Sequence, residues 1–266
     1  MFQGETLSLR NGTHVEAGDS RPMLAPCQLP WQSRQRADDW FRREALTPPP
    51  ADLGEPFTLS WFLALEYHRH LRHGRWLPHA LEFSQHHGET VVALGYGLGT
   101  DWVQYARYGA RVIVGCPDHE ELAVARHHFS LRGLGGIFLH APQPPLSLPE
   151  AVADLVYLSH ICANLDSAPI WLGEAHRLLK PGGKLLMVER VPGANYRAGR
   201  NLTRHLKPWL SAFQEISIRR YHLQRAQLAW YWRWLPRRWL ERLFGQFLLV
   251  KAYKPIMLVP SVRRAA

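Results

Sequence analysis

Five short runs rich in β-branched and aliphatic residues, at 90–95 (TVVALG), 110–115 (ARVIVG), 136–141 (GIFLHA), 153–159 (ADLVYLS) and 183–189 (GKLLMVE), alternate with helical stretches. No other feature restricts the fold so far. Near-continuous apolar strands separated by helices predict a mainly parallel sheet covered on both faces. The helical stretches include 118–133 and 168–180; in the second, Trp171, Ala175, Leu178 and Leu179 share a face and Lys180, Pro181 and Gly182 form a stop signal. Two more strands, at 213–221 and 246–253, bring the expected number to seven, and residues 57–83 read as two helices split near Gly74 and Pro78.

A chain of 266 residues with 46% hydrophobic content can bury one sizeable core. Residues 56–255 form the expected domain, with a basic, tryptophan-rich insertion at 222–246 and a tail at 256–266. Residues 1–55 show no sustained period and contain RPMLAPCQLPW and LTPPPADLGEP, so they are expected to form a proline-rich, extended arm. The first 30 residues hold Glu5, Arg10, Glu16 and Asp19 and no apolar core segment, which predicts a cytosolic protein without a secretory leader. The formal charge of +10 favours an anionic neighbour: phospholipid, nucleic acid or an acidic protein face. Cys27, Cys116 and Cys162 are odd in number and widely spaced, which suits buried thiols better than a disulfide framework or a metal knuckle.

The stretch ETVVALGYGLGTDW, residues 89–102, reads as strand, glycine turn and helix start. Gly95, Gly97 and Gly99 let the backbone bend sharply and approach a ligand, and Thr100 or Asp101 can cap the helix that follows. The same glycines would also serve tight strand-to-helix packing around an empty turn.

Taken with GARVIVGCPDHEELAVAR, ADLVYLSHICANL and RLLKPGGKLLMVE in that order, this turn resembles the class I S-adenosylmethionine-dependent methyltransferases, especially the group acting on small molecules and lipids, over residues 60–254. The resemblance implies a Rossmann-like, seven-stranded α/β fold, with S-adenosylmethionine, if any cofactor is held, beyond the carboxyl ends of the strands. Its binding residues would be Gly95, Tyr96, Gly97, Gly99, Asp101, Cys116, Asp118 and His140. The family usually places an acid two residues before the first glycine, another at the end of the second strand on the ribose, and a third after the third strand on the adenine. Ala93, Cys116 and His140 stand at those positions. A charge-assisted hydrogen bond contributes about 1.5–3 kcal/mol, so losing two or three weakens binding by roughly 3–8 kcal/mol if the losses add. Asp118 could restore the ribose contact if the strand end were remodelled, while the Tyr96 phenol reaches into space that the family fills with a small residue.

Two other constellations carry chemistry. SHICANLD follows the fourth strand, where this fold lines its pocket, and His160, Asn164 and Asp166 are its polar residues; a His there could act as a general base, or simply make structural hydrogen bonds. The histidines of YHRHLRHGRWLPH lack the spacing of a metal motif and come with Arg69, Arg72 and Arg75, so a solvated basic helix face is expected and no metal. Within 226–246, Trp230, Trp232, Trp234 and Trp239 lie among Arg233, Arg237, Arg238 and Arg242. Pro236 suits a helix start, and Trp239, Leu240, Leu243 and Phe244 form an expected apolar stripe. Trp230, Trp232, Trp234, Arg237, Arg238 and Trp239 are therefore candidates for contact with an anionic membrane surface or a protein partner. No recognised nucleic-acid module is present. The leading expectation is a methyltransferase-fold protein with a degenerate cofactor site, serving as a binding or structural subunit at a cytoplasmic membrane face or in a larger complex. The competing one is an active methyltransferase with a small or lipid-like substrate.

Overall fold

A computed structural model of the chain describes residues 33–45, 47–51, 53–161, 167–191, 196–222, 234 and 236–256. The expected sheet is present: β1 (Thr90–Gly95), β2 (Arg111–Cys116), β3 (Ile137–His140), β4 (Ala153–Ser159), β5 (Leu179–Arg190), β6 (Gln214–Tyr221) and β7 (Phe247–Tyr253). Their spatial order is β3-β2-β1-β4-β5-β7-β6. β1 to β5 run parallel, and β7 lies antiparallel to both β5 and β6. Every residue of β1 is buried, as expected of a central strand covered on both faces. The topology reverses between β1 and β4, which opens a crevice at their carboxyl ends where this kind of sheet binds ligands.

The helices are α1 (Arg34–Ala45), α2 (Leu59–Glu66), α3 (Leu77–Leu81), α4 (Trp102–Arg107), α5 (His119–Leu131), α6 (Ala168–Leu178), α7 (Tyr196–Trp209) and α8 (Arg237–Phe244). α2 continues into a π-helical turn, Tyr67–His73. Hydrophobic clusters lie on both faces of the sheet, one with α6 and α7 and one with α3, α4 and α5. A third cluster joins α1 and α2 to Leu98 of the glycine turn and Val124 of α5.

That third cluster corrects one expectation. The span 34–45 is a helix rather than extended chain, because Ala37, Trp40, Phe41, Glu44 and Ala45 recur at helical spacing and are all buried. Phe41 packs edge-on against Trp61 at 5.6 Å, and Trp40 against Phe57 at 5.8 Å. Ion pairs from Arg36 to Glu120 and from Arg43 to Glu121 fasten the same helix to α5. α1 is thus part of the packed structure and roofs the glycine turn.

The expected stripe on α8 is also revised: Leu240 is fully buried, but Trp239, its neighbour in sequence, is 68% exposed. Trp230 and Trp232 lie outside the described residues, as do Asn164 and Asp166. Among the described residues no helix is long and apolar enough to cross a membrane.

If α1 belongs to the core, Phe41→Ala should lower the unfolding free energy by about 3–5 kcal/mol, the usual cost of emptying a buried aromatic site. Denaturant titration followed by circular dichroism checks this; a loss below about 1 kcal/mol would mean that α1 is only loosely applied.

Candidate functional site

The glycine turn starts at Gly95, where β1 passes within touching distance of β4. A Cβ on Gly95 would sit 2.0 Å from the Ser159 carbonyl oxygen, at a φ of 117°. The approach is locked on both sides, since Tyr96 N donates to the Ser159 carbonyl at 3.1 Å and Ser159 Oγ donates to the Tyr96 carbonyl at 2.9 Å. Gly99, at φ 81°, lets the turn settle on Ala125 of α5. Both glycines meet demands of packing as well as of approach.

The turn then presents two main-chain amides, and both donate to carboxylates of the chain itself. Gly97 N donates to Glu121 Oε2 at 2.8 Å, and Leu98 N donates to Glu44 Oε1 at 3.3 Å. Both acids are buried. Glu121 is held from the other side by Arg43 Nη1 at 2.7 Å. Glu44 comes from α1, outside the span that resembles a known family.

Arg69 is 3% exposed and organises the floor of the site. Its Nη1 donates to the Glu44 main-chain carbonyl at 2.8 Å and lies 3.5 Å from the Glu44 carboxylate. Its Nε and Nη2 form a two-pronged pair with Asp101, at 2.7 and 2.5 Å. Asp101 also accepts from the Tyr157 hydroxyl at 2.6 Å, and His70 Nε2 lies 2.8 Å from its Oδ1. The Arg69 guanidinium and His70 overcome the burial of Asp101 and hold its carboxyl well below the usual carboxylate range.

Two expectations change here. Asp101 occupies the N-cap position of α4 but makes no side-chain cap, because its oxygens are committed to Arg69, His70 and Tyr157. The basic face expected at Arg69 is not solvated: Arg69, His68 and His70 are buried.

Cys116, at the end of β2, is buried in the cluster beneath α5, and burial pushes its thiol up to about 12, so it is neutral. Asp118 caps α5, its Oδ1 accepting from Glu120 N at 2.9 Å and Glu121 N at 2.8 Å. His140 is exposed at the sheet edge, with Nε2 3.1 Å from the Pro117 carbonyl and its ring edge-on to His119. His160 closes the floor beside Ser159 with a left-handed backbone, φ 55°. Its Nε2 is buried with no partner among the described residues. Burial, reinforced by Arg69 and Arg43, pulls its pKa down to about 4 despite Glu44 and Asp101 nearby. The ring is neutral at pH 7 and a weak base.

Sequence reasoning passed over Glu44, Glu121 and Arg69 as site residues. Glu44 carries a signal, because it completes the helical period of Ala37, Trp40 and Phe41 that marks the buried face of α1. Arg69 and Asp101 stand 32 residues apart and leave no local pattern.

The space enclosed by Glu44, Arg69, Tyr96, Gly97, Asp101 and His160 is about 10 Å³. That is about the room one ordered water needs.

Residues 92–187 match the family model described as a methyltransferase domain. The chain is 28% identical to a sterol 24-C-methyltransferase of Eremothecium gossypii over 146 residues, 54% of this chain and 36% of that protein. It is 37% identical to a demethylmenaquinone methyltransferase of Thermus thermophilus over 71 residues, 27% of this chain and 32% of that one. These matches span about a third of each curated relative's length. Among solved structures, the [4+2]-cyclase SpnF superposes with a TM-score of 0.50 at 18% identity, covering 74% of this chain and 83% of that one.

Removing one member of a buried ion pair costs about 3–5 kcal/mol, because its partner is left charged and unpaired. Asp101→Ala should show that loss in denaturant titration, while Arg69→Met combined with Asp101→Leu should cost clearly less; equal losses would mean that the pair does not act as a unit. His160 has a folded pKa near 4 against an ordinary value of 6.5, so the unfolded chain binds more protons between those values and stability falls as pH drops through that window. His160→Asn should flatten the dependence there by up to about 1.4 kcal/mol per pH unit. An unchanged slope between pH 6.5 and 4 would show that His160 is not held neutral.

Proposed function

We propose that this chain, whose residues 92–187 belong to the class I S-adenosylmethionine-dependent methyltransferase family, is a non-catalytic binding or structural protein with a degenerate cofactor site. S-adenosylmethionine is the family's cofactor. The observation that carries the reading is the state of the two loop amides. The backbone donors that a glycine turn would offer a ligand are already taken by Glu121 and Glu44.

The strand ends support the same reading. A ribose needs an acceptor where β2 ends, and Cys116 offers a buried, neutral thiol; Asp118 is already spent on the N-terminus of α5. His140 faces the Pro117 carbonyl instead of supplying a carboxylate to an adenine. With roughly 3–8 kcal/mol of anchoring lost, micromolar binding becomes millimolar or weaker. A fold of this kind does not by itself imply methyl transfer; SpnF, which superposes on this chain, is named for a cyclisation. The names of the two curated relatives favour the competing reading, an active methyltransferase with a lipid-like acceptor.

Calorimetry with S-adenosylmethionine and S-adenosylhomocysteine separates the two. The proposal predicts no heat and no thermal shift at millimolar ligand, for the wild type and equally for Glu44→Ala, in which the Leu98 amide is released but the strand ends are unchanged. Low-micromolar binding by the wild type would overturn it. Binding gained only in Glu44→Ala would also overturn it, identifying α1 as a plug over an intact site.

A further inference from the structure

The charge of this molecule is concentrated. Residues 191–240 hold ten Lys and Arg against one acid, Glu215, a net of +9 within a chain whose total is +10. The rest of the protein is therefore close to neutral.

Helix α7 sorts its share of these charges onto one side. Leu202 and Leu206, with Leu210 just beyond the helix, are buried in the cluster on that face of the sheet. Arg197, Arg200, Arg204 and Lys207, at positions i, i+3, i+7 and i+10, are all exposed, and the helix contains no acid. α8 lies against α7. With Leu240 fully buried, Trp239 and Arg242, three residues apart, turn outward, and Trp234 just ahead of the helix is 84% exposed.

The two helices are joined by Arg220 of β6. Its guanidinium donates to the Gly245 carbonyl at 3.1 and 2.8 Å and to the Leu243 carbonyl, where a cation suits the end of α8. It lies so close over α7 that a Cβ on Gly199 would come within 2.3 Å of its Cζ. Gly199 is the small residue that allows this contact, and through it α7 and α8 are held as one surface.

We infer that the outer faces of α7 and α8 form a docking surface for an anionic phospholipid bilayer. Charge complementarity selects the occupant's sign: a helix ridge with four cations and no acid matches a sheet of phosphate and carboxylate headgroups. The exposed indoles select its kind, since tryptophan settles at the headgroup boundary with its ring in the acyl region and its N–H in the wet layer. The apolar sides of both helices face the protein core, so contact with the bilayer would rest on the exposed cations and the two exposed indoles rather than on an inserted apolar helix face. The inference does not depend on whether the glycine turn holds a cofactor.

The test is flotation of the purified full chain with vesicles of phosphatidylcholine alone or mixed with phosphatidylserine, at low and at raised salt. Binding should require phosphatidylserine and weaken with salt. Each near-surface cation is worth about fivefold in partitioning, so Arg197→Gln, Arg204→Gln and Lys207→Gln together should weaken binding on the order of a hundredfold. These three side chains are exposed, so the variant should keep the wild-type circular dichroism spectrum. Trp234→Ala with Trp239→Ala should reduce the binding that survives at raised salt. Indifference of the wild type to phosphatidylserine, or full binding by the triple variant, would overturn the inference. So would tight binding of single-stranded RNA or DNA by a wild type that ignores vesicles.

Discussion

The buried pair between Arg69 and Asp101 is the contact on which the crevice depends. Two charges removed from water need partners for nearly every donor and acceptor, and this pair recruits them from three elements. Asp101 draws in His70 and Tyr157, tying the π-helical turn and β4 to the start of α4. Arg69 reaches the Glu44 main chain and carboxylate, tying in α1. Once Glu44 is held there, its other oxygen lies within reach of the Leu98 amide. The engagement of the Leu98 amide thus traces to one ion pair, while the Gly97 amide is taken by Glu121, which Arg43 of α1 holds.

This arrangement separates two properties that usually occur together. The shape of a nucleotide-binding crevice is kept by Gly95, where β1 and β4 come too close for any side chain, and by the parallel order β2-β1-β4. The chemistry of such a crevice needs free amides and acidic anchors at the strand ends. Here Glu44 and Glu121 take the amides, and a neutral thiol and an imidazole stand at the ends of β2 and β3. His160 adds a left-handed backbone and a neutral ring whose buried Nε2 has no partner among the described residues.

Much of the scaffold was readable because its signal is local. Strands such as 90–95 and 153–159 are continuous apolar runs, and Gly95 and Gly99 stand where the backbone turns left-handed. The absent acids at Ala93, Cys116 and His140 were readable for the same reason, since each sits at a fixed offset from a strand end. α1 was missed although Ala37, Trp40, Phe41, Glu44 and Ala45 keep helical spacing, because the prolines on either side dominate the composition there. The Arg69–Asp101 pair was illegible in principle: only the fold brings residues 69 and 101 together, and Arg69 in sequence is one of several cations in a basic run. On α8 the expected stripe holds at Leu240, Leu243 and Phe244 but not at Trp239, whose side of the helix faces away from β6 and α7.

The central claim is that the glycine turn is satisfied from within and has no anionic anchors for a nucleoside. A crystal structure of the protein soaked in S-adenosylmethionine tests it most directly. The account predicts Glu121 and Glu44 still seated on the Gly97 and Leu98 amides, with no density for an adenosine. Ordered adenosine over the turn, with α1 displaced or with Asp118 swung onto the ribose, would contradict it.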